Sequence, residues 1–158
     1  MAAMAAVSPL GLPAGPERTT GTLTSGGERI YFEVTGADPR APAVVLCHGL
    51  GGNHASWWQQ VGALGREFRV VTWDQRGFGN STLRSRRFGP EVAVDDVVAL
   101  VDHLGIDQAH VVGQSMGGWV AMGFAQRVPH RVTSLTLTDT IAGAWTPEIE
   151  DILSLIHI

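Results

Sequence analysis

The chain has 158 residues, enough for one domain with a sizeable core. It is 44% hydrophobic and 16% charged, which is typical of a sheet buried on both faces by helices. The net charge of −4 disfavours nucleic acid and anionic membranes as partners, and no apolar stretch approaches the ~20 residues that span a bilayer. The single cysteine, Cys47, has no partner for an internal disulfide. We therefore expect a cytoplasmic domain that binds neither nucleic acid nor membrane.

The first segment of the chain lacks the features of a secretion signal. Residues 1–18 are rich in alanine, proline and glycine, with no cationic start and no sustained apolar core. We interpret them as a disordered leader. The β-type runs 20–24 and 29–34 follow, separated by Ser25-Gly26-Gly27-Glu28, and together they predict an antiparallel hairpin with a glycine turn.

Apolar runs then alternate with segments of helical periodicity. Strands are predicted near 43–47, 68–72, 109–113 and 132–138, and helices near 54–64, 91–104 and 116–128. This alternation predicts an α/β fold whose sheet is mostly parallel and carries helices on both faces. Crossovers are expected to be right-handed, with ligands bound at the carboxyl ends of the strands.

A serine lies where one predicted strand turns into a helix. Gly113-Gln114-Ser115-Met116-Gly117 follows the apolar run 109–112 and precedes the apolar run 119–128. The two glycines suit a tight turn, because a side chain at either position would collide with the neighbouring strand or helix. The pattern predicts a nucleophile elbow, a strained turn that exposes Ser115 at the end of its strand.

Two upstream segments share this arrangement. The run 43–47 ends in His48-Gly49-Leu50-Gly51-Gly52, and the run 68–72 is followed by Asp74-Gln75-Arg76-Gly77-Phe78-Gly79-Asn80-Ser81. In this order, the three motifs resemble the α/β-hydrolase family, specifically its esterases, lactonases and carbon–carbon hydrolases. The resemblance extends from about residue 20 to residue 143.

The resemblance implies both a fold and a chemistry. The chain would form the N-terminal part of an α/β-hydrolase fold, strands 1 to 6. Ser115 would attack an ester, lactone or related carbonyl of a small molecule, forming an acyl-enzyme without a cofactor. The backbone N–H groups of Leu50 and Met116 would form the oxyanion hole. Serine at the elbow disfavours the dehalogenase and epoxide hydrolase chemistries, which require a carboxylate there. The oligomeric state stays open.

The other members of a catalytic triad are harder to assign. In this family the order is serine, then acid, then histidine. After Ser115 the histidines are His130, expected at the opposite edge of the sheet, and His157, the penultimate residue. Asp139 ends the last predicted strand, where a minority of members place the triad acid; its alternative role is to cap a loop. The catalytic base is therefore expected outside this chain.

The missing base leads to an interpretation of the chain as a gene fragment. Residues 19–145 would be the N-terminal part of one domain, and 146–158 a truncated, partly artefactual tail. The fragment alone is expected to be inactive. The alternative to a fragment is a natural protein of half the usual length. The alternative to a hydrolase is a non-catalytic ligand-binding or signalling member of the same fold.

The remaining motif residues have structural interpretations. We expect His48 to make hydrogen bonds within the segment 48–52, here called the oxyanion loop. Asp74 and Arg76 are expected to hold the loop after the strand 68–72 through hydrogen bonds and a partly buried ion pair. No histidines and carboxylates show metal-ligand spacing, so no metal is expected. Core packing is favoured for three tryptophans: Trp57, Trp58 and Trp119. The alternative for Trp119, one turn after Ser115, is to border the pocket for the acyl group.

Overall fold

The part of the chain that is described contains six strands and three α-helices, and the helices and strands alternate from β3 onward. The structure is a computed structural model and describes residues 15–36 and 38–140. Its elements, in chain order, are β1 (Arg18–Ser25), β2 (Glu28–Thr35), β3 (Ala43–Cys47), a 3₁₀ turn (His54–Trp57), α1 (Trp58–Leu64), β4 (Arg69–Trp73), α2 (Pro90–His103), β5 (Ala109–Gln114), α3 (Met116–Arg127), a second 3₁₀ turn (Pro129–Arg131) and β6 (Val132–Thr138).

Every predicted element is present, with small differences at the boundaries. The limits of β3 and β6 match the prediction, and β4 begins and ends one residue later. The predicted leader is too long at its end, because Arg18 already belongs to β1. Most of that leader, and the predicted tail 146–158, lie outside the described residues.

The hairpin turn is tighter than predicted. Ser25 pairs with Glu28, so that only Gly26 and Gly27 form the loop. Both glycines have positive φ, 54° and 83°. Positive φ at both central positions is the type I′ turn, whose twist matches that of the flanking strands. The strands consequently continue up to the two glycines.

The sheet combines an antiparallel and a parallel part. The strand order is β1-β2-β4-β3-β5-β6. β2 pairs antiparallel with β1 and β4, whereas β3 pairs parallel with β4 and β5, and β5 pairs parallel with β6. The carboxyl ends of β3, β4, β5 and β6 therefore meet along one side of the sheet, here called the carboxyl edge. This edge carries the loops that bear the sequence motifs.

Helices cover both faces of the sheet, as predicted. Val45 and Cys47 belong to the larger core cluster, which α2 and α3 complete. Val44 and Leu46 point to the other face and pack in a smaller cluster with Trp57. Because successive side chains of β3 point to opposite faces of the sheet, this strand contributes to both clusters, as expected for a strand buried on two sides.

The prediction of core packing is right for Trp57 and wrong for Trp58. Trp57 is 9% exposed, but Trp58 is 71% exposed, so that prediction is wrong for Trp58. Adjacent residues on a helical turn point in directions about 100° apart, so only one of the pair can face the sheet. Trp119 is half-buried on α3.

Candidate active site

Ser115 has the unusual backbone predicted for it. It is the N-cap residue of α3, with φ 53° and ψ −121°, and its side chain makes no capping hydrogen bond. Positive φ strains a residue with a Cβ by about 1–3 kcal/mol and persists only where the surroundings enforce it. The hydroxyl is therefore held at the carboxyl edge without being used to stabilise the helix.

Hydrogen bonds on both sides of Ser115 enforce this conformation. Its N–H donates to the carbonyl oxygen of Thr138 at 3.0 Å, which continues the β5–β6 pairing by one residue. Its own carbonyl accepts from the hydroxyl of Thr140 and from the N–H of Gly118, each at 2.8 Å. Sequence reasoning missed Thr140, because its contact with Ser115 depends on the register of β6 against β5.

The two glycines of the elbow are required by close packing. A Cβ placed on Gly113 would lie 2.4 Å from the carbonyl oxygen of Gly117. A Cβ on Gly117 would lie 2.1 Å from the carbonyl oxygen of Cys47. Real Cβ atoms essentially never approach so closely, and the obstructing atoms are backbone. This confirms the steric reason given for the glycines from the sequence.

The glycine-rich loop after β3 lies against the serine. A Cβ on Gly49 would be 3.2 Å from the Cβ of Ser115 and 2.6 Å from the side-chain oxygen of Gln114. In the described part of the chain, no acceptor is hydrogen-bonded to the N–H of Leu50 or of Met116. Two unused backbone donors therefore belong to the two segments that meet at Ser115.

His48 is a structural residue that ties this loop to the next one. Its Nε2 accepts from the N–H of Gln75 at 3.0 Å, so that its Nδ1 carries the proton and donates to the carbonyl of Gly49 at 2.8 Å. The Gln75 side chain returns a hydrogen bond to the carbonyl of His48 at 2.6 Å. Burial lowers the pKa of His48, which favours the neutral ring. Both ring nitrogens are engaged, which leaves His48 no role as a base.

A buried carboxylate organises the loop after β4. Asp74 accepts hydrogen bonds from the N–H and the Nδ1 of His54 at 2.6 and 2.7 Å, and from the N–H of Asn80 at 2.7 Å. The other ring nitrogen of His54 lies 3.5 Å from Glu33 on β2. Asp74 holds its loop as predicted, whereas His54 and Glu33 are contacts that the sequence did not indicate.

The predicted ion pair of Arg76 is more deeply buried than expected. Its Nε and Nη2 donate to the two carboxylate oxygens of Asp96 on α2, at 2.7 and 2.6 Å. Both side chains are almost completely buried. The hydrogen bonds to Asp96 raise the pKa of Arg76, so the pair stays charged. The loop after β4 is thus fastened to α2 by a bidentate contact.

The other candidate triad residues are not brought together with Ser115. His130 lies in the second 3₁₀ turn, before β6 begins, at the opposite side of the sheet from the carboxyl edge. His157 lies outside the described residues. Asp139 directly follows β6 with φ 49° and is exposed, and its carboxylate has no hydrogen-bond partner within residues 15–140. Its role as the triad acid stays a prediction.

The described residues contain neither a metal-binding cluster nor a membrane-spanning helix. No cluster of three or more potential metal ligands occurs there. No helix in the same part of the chain is long and apolar enough to cross a membrane. Cys47, the last residue of β3, is buried, and burial raises the pKa of its thiol to about 12, which keeps it protonated.

Known proteins are similar to this chain in sequence and in fold. The family model described as alpha/beta hydrolase fold matches residues 42–155. The 3-oxoadipate enol-lactonase 1 of Acinetobacter baylyi is 34% identical over 122 residues, which are 77% of this chain and 45% of that protein. The solved enol-lactonase of Burkholderia xenovorans LB400 is 32% identical with a TM-score of 0.74, over 85% of this chain and 52% of the other.

A second solved structure broadens the comparison. The 2-hydroxy-6-oxo-6-phenylhexa-2,4-dienoate hydrolase of Rhodococcus sp. strain RHA1 is 31% identical with a TM-score of 0.72, over 89% of this chain and 54% of the other. The chain thus spans about half the length of the relatives it matches. The family model covers well over half of the chain, and its match includes both the loop 48–52 and the turn at Ser115. The chain therefore belongs to the alpha/beta hydrolase fold family.

Proposed function

We propose that the whole protein is a serine hydrolase that acts in the cytoplasm on a small carboxylic ester, lactone or related carbonyl compound, with Ser115 as nucleophile. The observation that carries this proposal is the strained backbone of Ser115 at the N-cap of α3, with a hydroxyl that makes no capping bond. Strain of this kind tends to persist at sites where it serves the chemistry. The enol-lactonases among the relatives support the substrate class.

The reaction would proceed through an acyl-enzyme. The Ser115 oxygen attacks the substrate carbonyl while its proton passes to a histidine base, which lies outside the described residues in this proposal. The leaving alcohol departs with a proton, and water then hydrolyses the ester formed on Ser115. Asp139 is our candidate for the acid that orients the base.

The oxyanion of each tetrahedral intermediate would be bound by backbone N–H groups. Leu50 and Met116 are the candidates, since neither N–H group has an acceptor among the residues that the structure describes and both residues belong to segments that adjoin Ser115. Met116 is also the first residue of α3, where the helix dipole favours negative charge. One such donor typically stabilises the transition state by ~3 kcal/mol.

The proposal is tested with a fluorophosphonate probe and an ester substrate such as p-nitrophenyl acetate. The wild-type whole protein should be labelled, and Ser115→Ala should abolish labelling. The same substitution should lower kcat by about four to six orders of magnitude with little change in KM, because the hydroxyl acts in the chemical step. Ser134→Ala is the matched control: it removes an exposed serine hydroxyl on β6 that lies 2.8 Å from Nδ1 of His110, and labelling and kcat should stay as in wild type.

A well-folded protein that is neither labelled nor active would contradict the proposal. That result would favour the non-catalytic alternative, a ligand-binding or signalling member of the family. Labelling that survives Ser115→Ala would show that another residue is the nucleophile.

A further inference from the structure

An open cavity of about 710 Å³ lies beside the first turn of α3. It is lined by residues 86–92, which form the end of the loop after β4 and the start of α2, and by Trp119. Trp119 is four residues after Ser115, one helical turn away on the same side of α3. One lining residue of the cavity therefore lies a single helical turn from the candidate nucleophile. We call the cavity the arginine cavity, after Arg86 and Arg87.

The charge of this cavity is opposite in sign to that of the protein. Arg86 and Arg87 are exposed, and neither makes an ion pair with any residue of the described part of the chain. Glu91 also lines the cavity, so the cavity's three charged side chains, two arginines and one glutamate, carry a net charge of +1. The chain as a whole carries −4. Two unpaired guanidinium groups in an acidic protein are suited to bind an anion.

A buried carboxylate, that of Glu28, fixes the loop that carries the two arginines. Glu28 accepts hydrogen bonds from the Thr82 hydroxyl at 2.6 Å, the Arg84 N–H at 2.9 Å and the Ser85 N–H at 2.6 Å. These bonds, the one from Thr82 first, lower the pKa of Glu28 to about 2. A loop fixed in this way loses little entropy when it binds a ligand.

The backbone at the arginines is strained as well as held. Arg86 has φ 55°, one of three non-glycine residues with positive φ in the described part of the chain. A second of these is Ser115, the candidate nucleophile. The carbonyl of the next residue, Arg87, accepts a hydrogen bond from the buried Arg76 at 3.4 Å. Strain retained in a pinned loop is a feature of ligand sites.

Aromatic rings connect the arginine cavity to the oxyanion loop. Phe88 is 49% exposed at the cavity, and its ring centroid lies 5.7 Å from that of Phe78. Phe78 in turn packs edge-on against His48, 5.5 Å away, next to Gly49. An apolar wall thus extends from the two arginines toward the loop that adjoins Ser115.

We propose that the arginine cavity binds the carboxylate of an amphipathic organic acid. Arg86 and Arg87 bind the carboxylate, while Phe88 and Trp119 contact the apolar part of the molecule. In the hydrolase proposed above, this cavity selects substrates that carry a free acid group at a distance from the reacting carbonyl. That catalytic role rests on the proposed function, whereas the binding of organic acids does not.

Calorimetric titration with 3-phenylpropionate, and with the uncharged 3-phenylpropanamide as matched ligand, tests the proposal. The whole protein at low ionic strength should bind the acid at least tenfold more tightly than the amide. The double substitution Arg86→Gln and Arg87→Gln should remove this preference, and each single substitution should reduce it. Glu91→Gln should tighten binding of the acid several-fold, since it removes the opposing charge. Arg84→Gln changes a loop arginine outside the cavity and should leave the preference intact.

Equal binding of acid and amide by the wild type would overturn the proposal. An equal loss of preference in Arg84→Gln would overturn it too, because general attraction to a basic loop would then be sufficient. If the double variant fails to fold, the two single variants and Glu91→Gln still decide the question. Titration of Ser115→Ala separates the two proposals: acid binding should persist there, whatever the outcome of fluorophosphonate labelling.

Discussion

The contact between Gly117 and β3 leads to a prediction about a single methyl group. In Gly117→Ala, the new Cβ would lie 2.1 Å from the carbonyl oxygen of Cys47, 2.5 Å from its carbonyl carbon and 2.6 Å from the carbonyl oxygen of His48. All three are backbone atoms of β3 and the residue after it, and cannot rotate away. Relief requires α3 to move from β3 by about an ångström, in an interior packed as densely as a crystal.

The expected destabilisation is large for so small a change. Overpacking by a methylene typically costs 1–3 kcal/mol, and a clash with three fixed atoms belongs at or above the top of that range. We expect Gly117→Ala to lower the free energy of unfolding by about 3 kcal/mol or more. The displaced segment leads directly into the loop 48–52, so kcat of the hydrolase proposed above should fall as well.

A second glycine provides the control. Gly62 lies in α1 with nothing within 4 Å of the position of a Cβ. At this position alanine only improves the helix propensity, so Gly62→Ala should raise the free energy of unfolding by about 0.5–1 kcal/mol. Urea unfolding followed by circular dichroism measures both variants. A Gly117→Ala protein within about 0.5 kcal/mol of wild type would refute the steric argument, because it would mean that the helix and strand adjust freely.

Two further predictions concern buried charges. The pKa of Glu28 is lowered to about 2 from an ordinary 4.5, so its contribution to stability is present above pH 4.5 and is lost as the pH falls toward 2. Stability measured between pH 5 and pH 2 should therefore fall more steeply in wild type than in Glu28→Gln, and parallel curves would contradict this. Asp96→Ala leaves Arg76 buried without its partner and should cost about 3–5 kcal/mol. The neighbouring Asp95→Ala removes only an exposed ion pair and should cost less than about 1 kcal/mol. If urea unfolding showed the same loss of stability in both variants, the argument from burial would be wrong.

Local signals in the sequence were sufficient for the elements and for the elbow. The limits of β3 and β6 follow from short apolar runs ended by turn residues, and the hairpin from its two glycines. The strained backbone of Ser115 was predictable because flanking glycines between a strand and a helix demand a tight turn. These features depend on neighbours a few residues away, so the chain encodes them locally.

Tertiary structure decided which polar groups meet. Asp96 sits among the apolar residues of an amphipathic helix, and only the packing of α2 against the sheet places it opposite Arg76. The sequence predicts Glu28 as a turn residue, yet its carboxylate accepts a hydrogen bond from the backbone of Arg84, more than 50 positions later in the chain. Trp57 and Trp58 have identical local signals and opposite burial. Contacts of this kind depend on strand order and register, which arise from the burial of the whole chain and are not encoded in any short segment of it.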